Sequence, residues 1–301
     1  MSAARRPPRS DPHALLLGTA QDGGVPQLGC PCPHCAAARR HRRRRRLVAS
    51  LLVVDPRTKR RWLIDATPDL REQADLAGAL APARPLGPGR RIVDGVFLTH
   101  AHVGHVTGLL QLGREALACR GMPVFATRAM RAFLAENEPW RQLVRNGHVR
   151  LAPLSPGQPV ALADDLAITA IPVPHRNEVA DTVAFLVEGP ARRLLYVPDI
   201  DSWEPWDRRL DEALARVDVA LLDGTFYGPD EVPGRDLSEI PHPFVTDTLA
   251  RLAPLPPAER AKVLFTHLNH GNPLLEPRSA ASRHVRAAGC AVARDGQFLP
   301  L

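Results

Sequence analysis

The run Thr99-His100-Ala101-His102-Val103-Gly104-His105 constrains this chain more than any other stretch. Ahead of it lies Ile92 to Leu98, short and mostly apolar, which predicts a buried strand. Behind it, Val106, Leu109, Leu110, Leu112 and Leu117 fit the buried side of a helix. Three histidines within six residues therefore sit at a strand-to-helix junction, where side chains from one short loop converge on a point. His-x-His places two rings on the same side of an extended segment, and imidazole is the commonest biological metal ligand. A lone histidine here would read as an ordinary polar loop residue. Three together read as a metal site.

The 301 residues are enough for one large domain or two small ones, and the 45% hydrophobic fraction supports a sizeable core. No apolar run approaches the length of a membrane span. Met1 to Asp11 is basic and proline-containing, and Ala14 to Leu17 is too short for a signal-peptide core. These features predict a cytoplasmic protein with a basic flexible tail over residues 1–12. The net charge of +7 raises a nucleic-acid reading. Much of the excess sits in one run from Arg39 to Arg46, with five consecutive arginines at Arg42–Arg46. Such a run can grip phosphates, although a solvated loop explains it more simply.

Of the five cysteines, Cys30, Cys32 and Cys35 crowd into six residues, too close for a regular disulfide framework. Thiolates suit tetrahedral zinc, and three of them leave one ligand to come from elsewhere. His34 adjoins Cys35 too closely, so His270 is the better candidate. A zinc knuckle followed by an arginine-rich loop is the expectation for residues 30–46. Cys119 and Cys290 are isolated and read as core or surface residues.

Taken in order, the pattern predicts strands at residues 14–17, 47–54 and 61–64, then a helix over 70–80 capped by Thr67 and opened by Pro68. After the histidine run come a strand at 124–126, helices over 128–136 and 140–146, and an extended piece at 149–151. Residues 166–173 alternate as a strand, and 183–187 with 193–197 form a hairpin around Gly189-Pro190. A helix over 206–215 precedes a strand at 217–222, a long loop carries His242, and a helix spans 246–252. The strand at 262–265, a helix over 277–287 and a short strand near Ala291 complete the chain. Strands interleave with helices without an internal break, which predicts one α/β domain over residues 13–301, two sheets covered by helices. Several strands end in a residue fit for a metal: His100, His102 and His105, then His175, Asp199 and His267. A sheet edge that repeatedly delivers histidine and aspartate is a binding face.

The histidine run resembles the His-x-His-x-Asp-His signature of the metallo-β-lactamase fold superfamily, with Gly104 where that family has aspartate. Further segments extend the likeness over nearly the whole chain after the tail. They are Gly18 to Gln27, the cysteine cluster, Trp62 to Asp69, Leu222 to Thr225 and His267 to Pro273. In these the chain is similar to the B proteins of pyrroloquinoline quinone biosynthesis. The cysteine cluster and Thr-His-x-x-His also resemble the cyclic phosphodiesterases of phosphonate breakdown. The resemblance implies a four-layer αββα sandwich with the metal site at one edge. It also implies that His100, His102 and His175 hold one metal, and that Asp199 bridges to a second held by His105 and His267. Asp65 would support a ligand histidine from behind. Cys30, Cys32, Cys35 and His270 would form a closed structural zinc site, and His242 would occupy the place of a catalytic histidine. Asp22 and Asp201 are the candidates to replace the aspartate missing at Gly104.

Two activities follow from the resemblance. In one, one or two zinc or manganese ions acidify a water that attacks an ester, most plausibly a phosphodiester, while His242 protonates the leaving group. In the other, a single iron(II) held by histidines and a carboxylate activates oxygen in pyrroloquinoline quinone biosynthesis. The quinone-pathway relatives carry a degenerate His-x-His segment, whereas this chain keeps all three histidines, which favours hydrolysis of a small-molecule substrate. A non-catalytic nucleic-acid-binding or carrier protein using Arg42–Arg46 is a third reading. The sequence gives no guide to oligomeric state.

Overall fold

A computed structural model of the chain describes residues 10–81, 86–231 and 239–301. Most of the expected basic tail, and residues 232–238 of the long loop before His242, lie outside the described residues.

Two seven-stranded sheets form the centre. In the first, β1 (His13–Gly18), β2 (Ser50–Asp55) and β3 (Arg60–Ile64) run antiparallel, and β4 (Gly95–Phe97), β5 (Met122–Ala126) and β6 (Val149–Pro153) continue in parallel. In the second, β7 (Pro159–Ala163), β8 (Leu166–Pro172), β9 (Val183–Glu188) and β10 (Arg193–Val197) are antiparallel. They are followed in parallel by β11 (Val219–Asp223), β12 (Val263–Thr266) and β13 (Ala291–Val292). The last strand, β14 (Phe298–Pro300), returns to the outer edge of the first sheet beside β1.

Side-chain alternation explains the layering. Along β1, Ala14 and Leu16 join Phe97, Phe185 and Tyr196 between the sheets, while Leu15 and Leu17 face the other way. That outer face packs on α2 (Leu70–Leu80), α4 (Arg128–Glu136) and α5 (Trp140–Arg145) through Leu70, Met130, Leu134 and Leu143. The outer face of the second sheet packs on α6 (Asp207–Arg216), α7 (Val245–Leu252) and α8 (Ala280–Ala287) through Leu210, Leu214, Leu249 and Val285. The result is the expected αββα sandwich. Among the described residues no helix is long and apolar enough to cross a membrane.

Of the elements not expected from the sequence, three bear on the layering and the metal centre. Helix α1 (Pro33–Arg40) fills much of the stretch read as a cysteine and arginine loop. Pro33 occupies its first turn, the Cys32 side chain accepts from the Cys35 amide, and Ala36 to Ala38 favour helix. Strand β7 begins at Pro159 and sits at a sheet edge, where proline is tolerated but masks the strand signal. Strand β14 is only three residues long. The arginine run is also less free than a solvated loop would be. Arg44 pairs with Glu276 at 3.0 Å, Arg45 reaches the Ala38 carbonyl, and Arg46 bonds Thr19 and the Ala293 carbonyl.

Phe97 is fully buried between the sheets, stacked on Phe125 at 4.5 Å and edge-on to Phe185 at 5.9 Å. Phe97→Ala is expected to cost about 3–5 kcal/mol in a denaturant titration; a loss below about 1 kcal/mol would contradict this packing.

Candidate metal centre

Polar residues collect where strands end. Asp65 follows β3, His100 and His102 follow β4, and His105 lies on the short helix α3 (Val103–Val106). From the second sheet, His175 follows β8, Asp199 follows β10, Asp223 closes β11 and His267 follows β12. Carboxyl ends of parallel strands are where open α/β sheets place ligands. Here both sheets deliver to the same end. Asp65 and His267 hold left-handed backbone conformations, with φ of 65° and 60°. Such angles cost a non-glycine residue of order 1–3 kcal/mol and cluster at functional sites.

His100, His102, His175 and Asp199 form the first donor set. Asp199 Oδ2 lies 3.3 Å from His100 Nε2 and 3.3 Å from His175 Nε2, and His175 Nε2 is 3.1 Å from His102 Nδ1. Beside it stand Asp22, His105 and His267. His105 Nε2 is 3.4 Å and His267 Nε2 3.8 Å from Asp22 Oδ1, and they are 3.9 Å and 3.7 Å from Asp199 Oδ2. Asp199 thus stands between two groups of imidazoles. A tetrahedral ion with ligands near 2.0–2.1 Å sets its donors about 3.4 Å apart, and both sets lie close to that spacing.

The far side of each imidazole shows which nitrogen is left for a metal. His105 Nδ1 donates to Asp65 Oδ2 and His175 Nδ1 to Asp201 Oδ1, both at 2.8 Å. Thr99 Oγ1 gives its hydrogen to Asp65, so it accepts from His100 Nδ1 at 2.9 Å. Thr225 Oγ1 is directed at the His267 carbonyl and accepts from His267 Nδ1 at 2.8 Å. In all four rings Nδ1 is engaged behind the site, so Nε2 is the nitrogen directed inward for a metal. His100, His105 and His267 Nε2, with Asp22 Oδ1 and Asp199 Oδ1, are buried without a hydrogen-bond partner. Buried polar atoms without partners are costly, and cations in the two donor sets would satisfy the three imidazole nitrogens and Asp22 Oδ1. The donors fit a divalent metal.

Electrostatics divide these residues. Burial alone would raise the Asp199 carboxyl, but the imidazoles of His267, His175 and His242 hold it well below its ordinary range. Burial and the neighbouring His105 ring push His100 well below 6.5, so it is neutral and ready to ligate at pH 7. His105 faces the opposite balance: burial lowers it, yet Asp65 and Asp22 outweigh that and lift it well above 6.5.

The cysteine cluster lies against His270. Cys30 and Cys32 Sγ lie 3.4 Å and 3.6 Å from His270 Nδ1, and Cys35 completes the set. Zinc with sulfur and nitrogen ligands sets S···N at about 3.5 Å. Burial and the adjacent sulfurs push Cys35 up to about 12. That thiol therefore ionises at neutral pH only beside a cation. The backbone amides of Gln27, Cys32 and Cys35 donate to these sulfurs.

His242 faces the same cleft, about 210 Å³ in volume, with Arg176, Gln27 and Asn269 among its lining. Its Nδ1 donates to Asp223 Oδ2 at 2.8 Å. Burial opposes its charge, but Asp223 and Asp199 outweigh it and raise the imidazole to about 9. Asp223 also accepts from the Ile200 and Thr225 amides, so its oxygens are engaged in holding the site. Asp65 is fully buried behind His105 and is hydrogen-bonded to its Nδ1. Sequence reasoning left Asp201 as a candidate ligand, whereas its Oδ1 is committed to His175. It did not find Thr99, Thr225, Asp223 or Arg176. Their one signal was adjacency to a ligand or a strand end.

A two-sheet sandwich with paired imidazole and carboxylate donors at its strand ends defines a metallo-β-lactamase-fold protein. The family model described as Beta-lactamase superfamily domain matches residues 60–268. Within that superfamily the chain belongs to the family of coenzyme PQQ synthesis protein B. It is 34% identical to that protein from Methylobacterium sp. (strain 4-46), over 96% of this chain and 100% of the relative. The Zn(2+)-bound PqqB structure from Methylobacterium extorquens superposes with a TM-score of 0.79 at 28% identity, covering 96% of this chain and 100% of that one. A diphosphatase from the PhnP family shares the fold, with a TM-score of 0.67 at 22% identity over 96% of this chain and 98% of that one.

Two substitutions separate the centres. Asp201→Ala removes the acceptor behind His175 and is expected to weaken metal binding in the first set by about 10- to 100-fold in a chelator competition. Cys32→Ala is expected to release the cysteine-bound ion while the first set still binds. Loss of metal from both places in either variant would show that the centres are not separate.

Proposed function

We propose that this chain is a metal-dependent enzyme that acts on a small molecule in the synthesis of pyrroloquinoline quinone. The observation that carries this reading is the kinship to coenzyme PQQ synthesis protein B, which runs through 96% of the chain and the whole of the relative. A retained set of buried donors supports catalysis over a carrier role, since each unpartnered atom costs stability unless it binds something. The kinship moves the quinone-pathway reading ahead of the hydrolase that the sequence alone favoured. Arginines engaged within the fold give the nucleic-acid reading little support.

The first donor set, three histidines and a carboxylate, suits iron(II) as well as zinc or manganese. A bound divalent ion supplies Lewis acidity and an acidified water, and iron adds redox chemistry with oxygen. The chain's own residues do the rest. Arg176 lines the cleft with a buried Nε that lacks a partner, a fit for a carboxylate or phosphate on the substrate. His242, held by Asp223, presents a proton donor to the same space. Gln27 and Asn269 add neutral polar groups.

One observation favours a second reading, hydrolysis of a phosphodiester or another ester. The two donor sets share Asp199 and share the cleft with His242, as a paired-metal hydrolase needs.

The test is complementation of a quinone-producing bacterium that lacks its own B protein. Wild type is expected to restore quinone output and His102→Ala to fail. Failure of wild type, together with turnover of a chromogenic phosphodiester by the zinc- or manganese-loaded protein, would replace this reading with the hydrolase. Under either chemistry His242→Ala is expected to lower kcat by about 100- to 10,000-fold with metal content unchanged.

A further inference from the structure

We propose that Asp22 is a metal ligand, and that it supplies in space the carboxylate the histidine run lacks at Gly104. The inference rests on the reading that the cleft binds metal, and it assigns the second position. Asp22 lies in the turn after β1, 82 residues before Gly104 and outside the segment that the superfamily model matches. Yet an ideal Cβ built on Gly104 would fall 2.1 Å from Asp22 Oδ1, 2.6 Å from its Cγ and 2.8 Å from its Cα. The carboxylate occupies the volume a side chain at position 104 would enter. Glycine at 104 is therefore what lets this loop approach.

Three further observations support the assignment. Asp22 Oδ1 is buried and unpartnered although 26% of the side chain is exposed, and it faces His105 and His267, whose Nε2 atoms are likewise buried and unpartnered. The loop is fixed rather than draped. The Gln21 amide donates to the Leu268 carbonyl at 3.0 Å, and the Leu268 amide donates to the Thr19 carbonyl at 2.8 Å. Asp22 is thereby tied to the segment that carries His267. The competing candidate, Asp201, is withdrawn from this role by its bond to His175. Two imidazoles and a carboxylate, with Asp199 Oδ2 3.7–3.9 Å from both rings, complete a four-donor site.

The test is metal counting on the full chain after loading with zinc and desalting, with cobalt(II) substitution as a second readout. Cobalt distinguishes thiolate ligation at the cysteine site from nitrogen and oxygen ligation in the cleft. Wild type is expected to hold about three equivalents, one closed site and two in the cleft, and Asp22→Ala about two. Asp22→Asn, isosteric but neutral, is expected to weaken the last equivalent by at least about 100-fold. Gly104→Ala should displace the carboxylate and have the same effect. In each variant the cobalt–thiolate band and the metal held by His102 remain, which reports an intact fold. Wild-type stoichiometry in Asp22→Ala, or a wild type that binds only one ion in the cleft, would overturn the assignment. Loss of all cleft metal from wild type would instead sink the metal-enzyme reading.

Discussion

Asp199 is a carboxylate with 3% of its side chain exposed, set among the imidazoles of His100, His175, His105 and His267 at 3.3–3.9 Å. Burying such a charge is expensive unless it is paired. Neutral imidazoles pair with it poorly, and protonating several of them would put like charges within a few ångströms of one another. Of the available arrangements, cations between carboxylate and rings satisfy every donor together. Much of the surrounding structure follows from the need to hold these groups in place. Thr99, Asp65, Asp201 and Thr225 fix the protonated nitrogens, leaving the other nitrogen of each ring directed inward.

The sandwich is suited to this because both sheets switch from antiparallel to parallel pairing within their width. Strands β3, β4, β10, β11 and β12 therefore all finish at one end, and the chain must turn there. Turns tolerate polar residues and unusual backbone angles, as at Asp65 and His267. The apolar layers on either side are rigid, so each turn is placed by strand register. Precision at the site comes from the core beneath it, including the Phe97, Phe125 and Phe185 stack.

Much of this was legible in the sequence for a physical reason. Buried strands such as β11, Val219 to Asp223, are short apolar runs ending in a polar residue, and that ending is the site. Hence His100, His102, His105, His175, Asp199 and His267 could be named from the strand pattern, and the structure brings them together. Edge strands were harder. Proline at the start of β7 and the shortness of β14 remove the alternation that marks a strand. Helix α1 was hidden because its proline and the cysteines in and before it argue for a knuckle, while its alanines argue for helix. Residues that act from behind the ligands were hardest. Thr99 and Thr225 look like any turn threonine until their hydrogen bonds are seen.

Asp22 shows why spacing within a motif is an incomplete guide. A signature counts residues along one segment, whereas a metal counts donors in space. The loop after β1 is held from two directions, by Leu268 beside His267 and, a few residues on, by the cysteine cluster joined to His270. His267 and His270 lie on one short segment, and Asp22 and Cys30 on another. An ion among the cysteines would therefore staple together the two segments that furnish Asp22 and His267. Such a closed site would be more than a generic fold stabiliser: it would fix the separation of two donors that line the cleft. A chain organised in this way tolerates glycine in its histidine run, because the missing carboxylate arrives on a separately anchored loop.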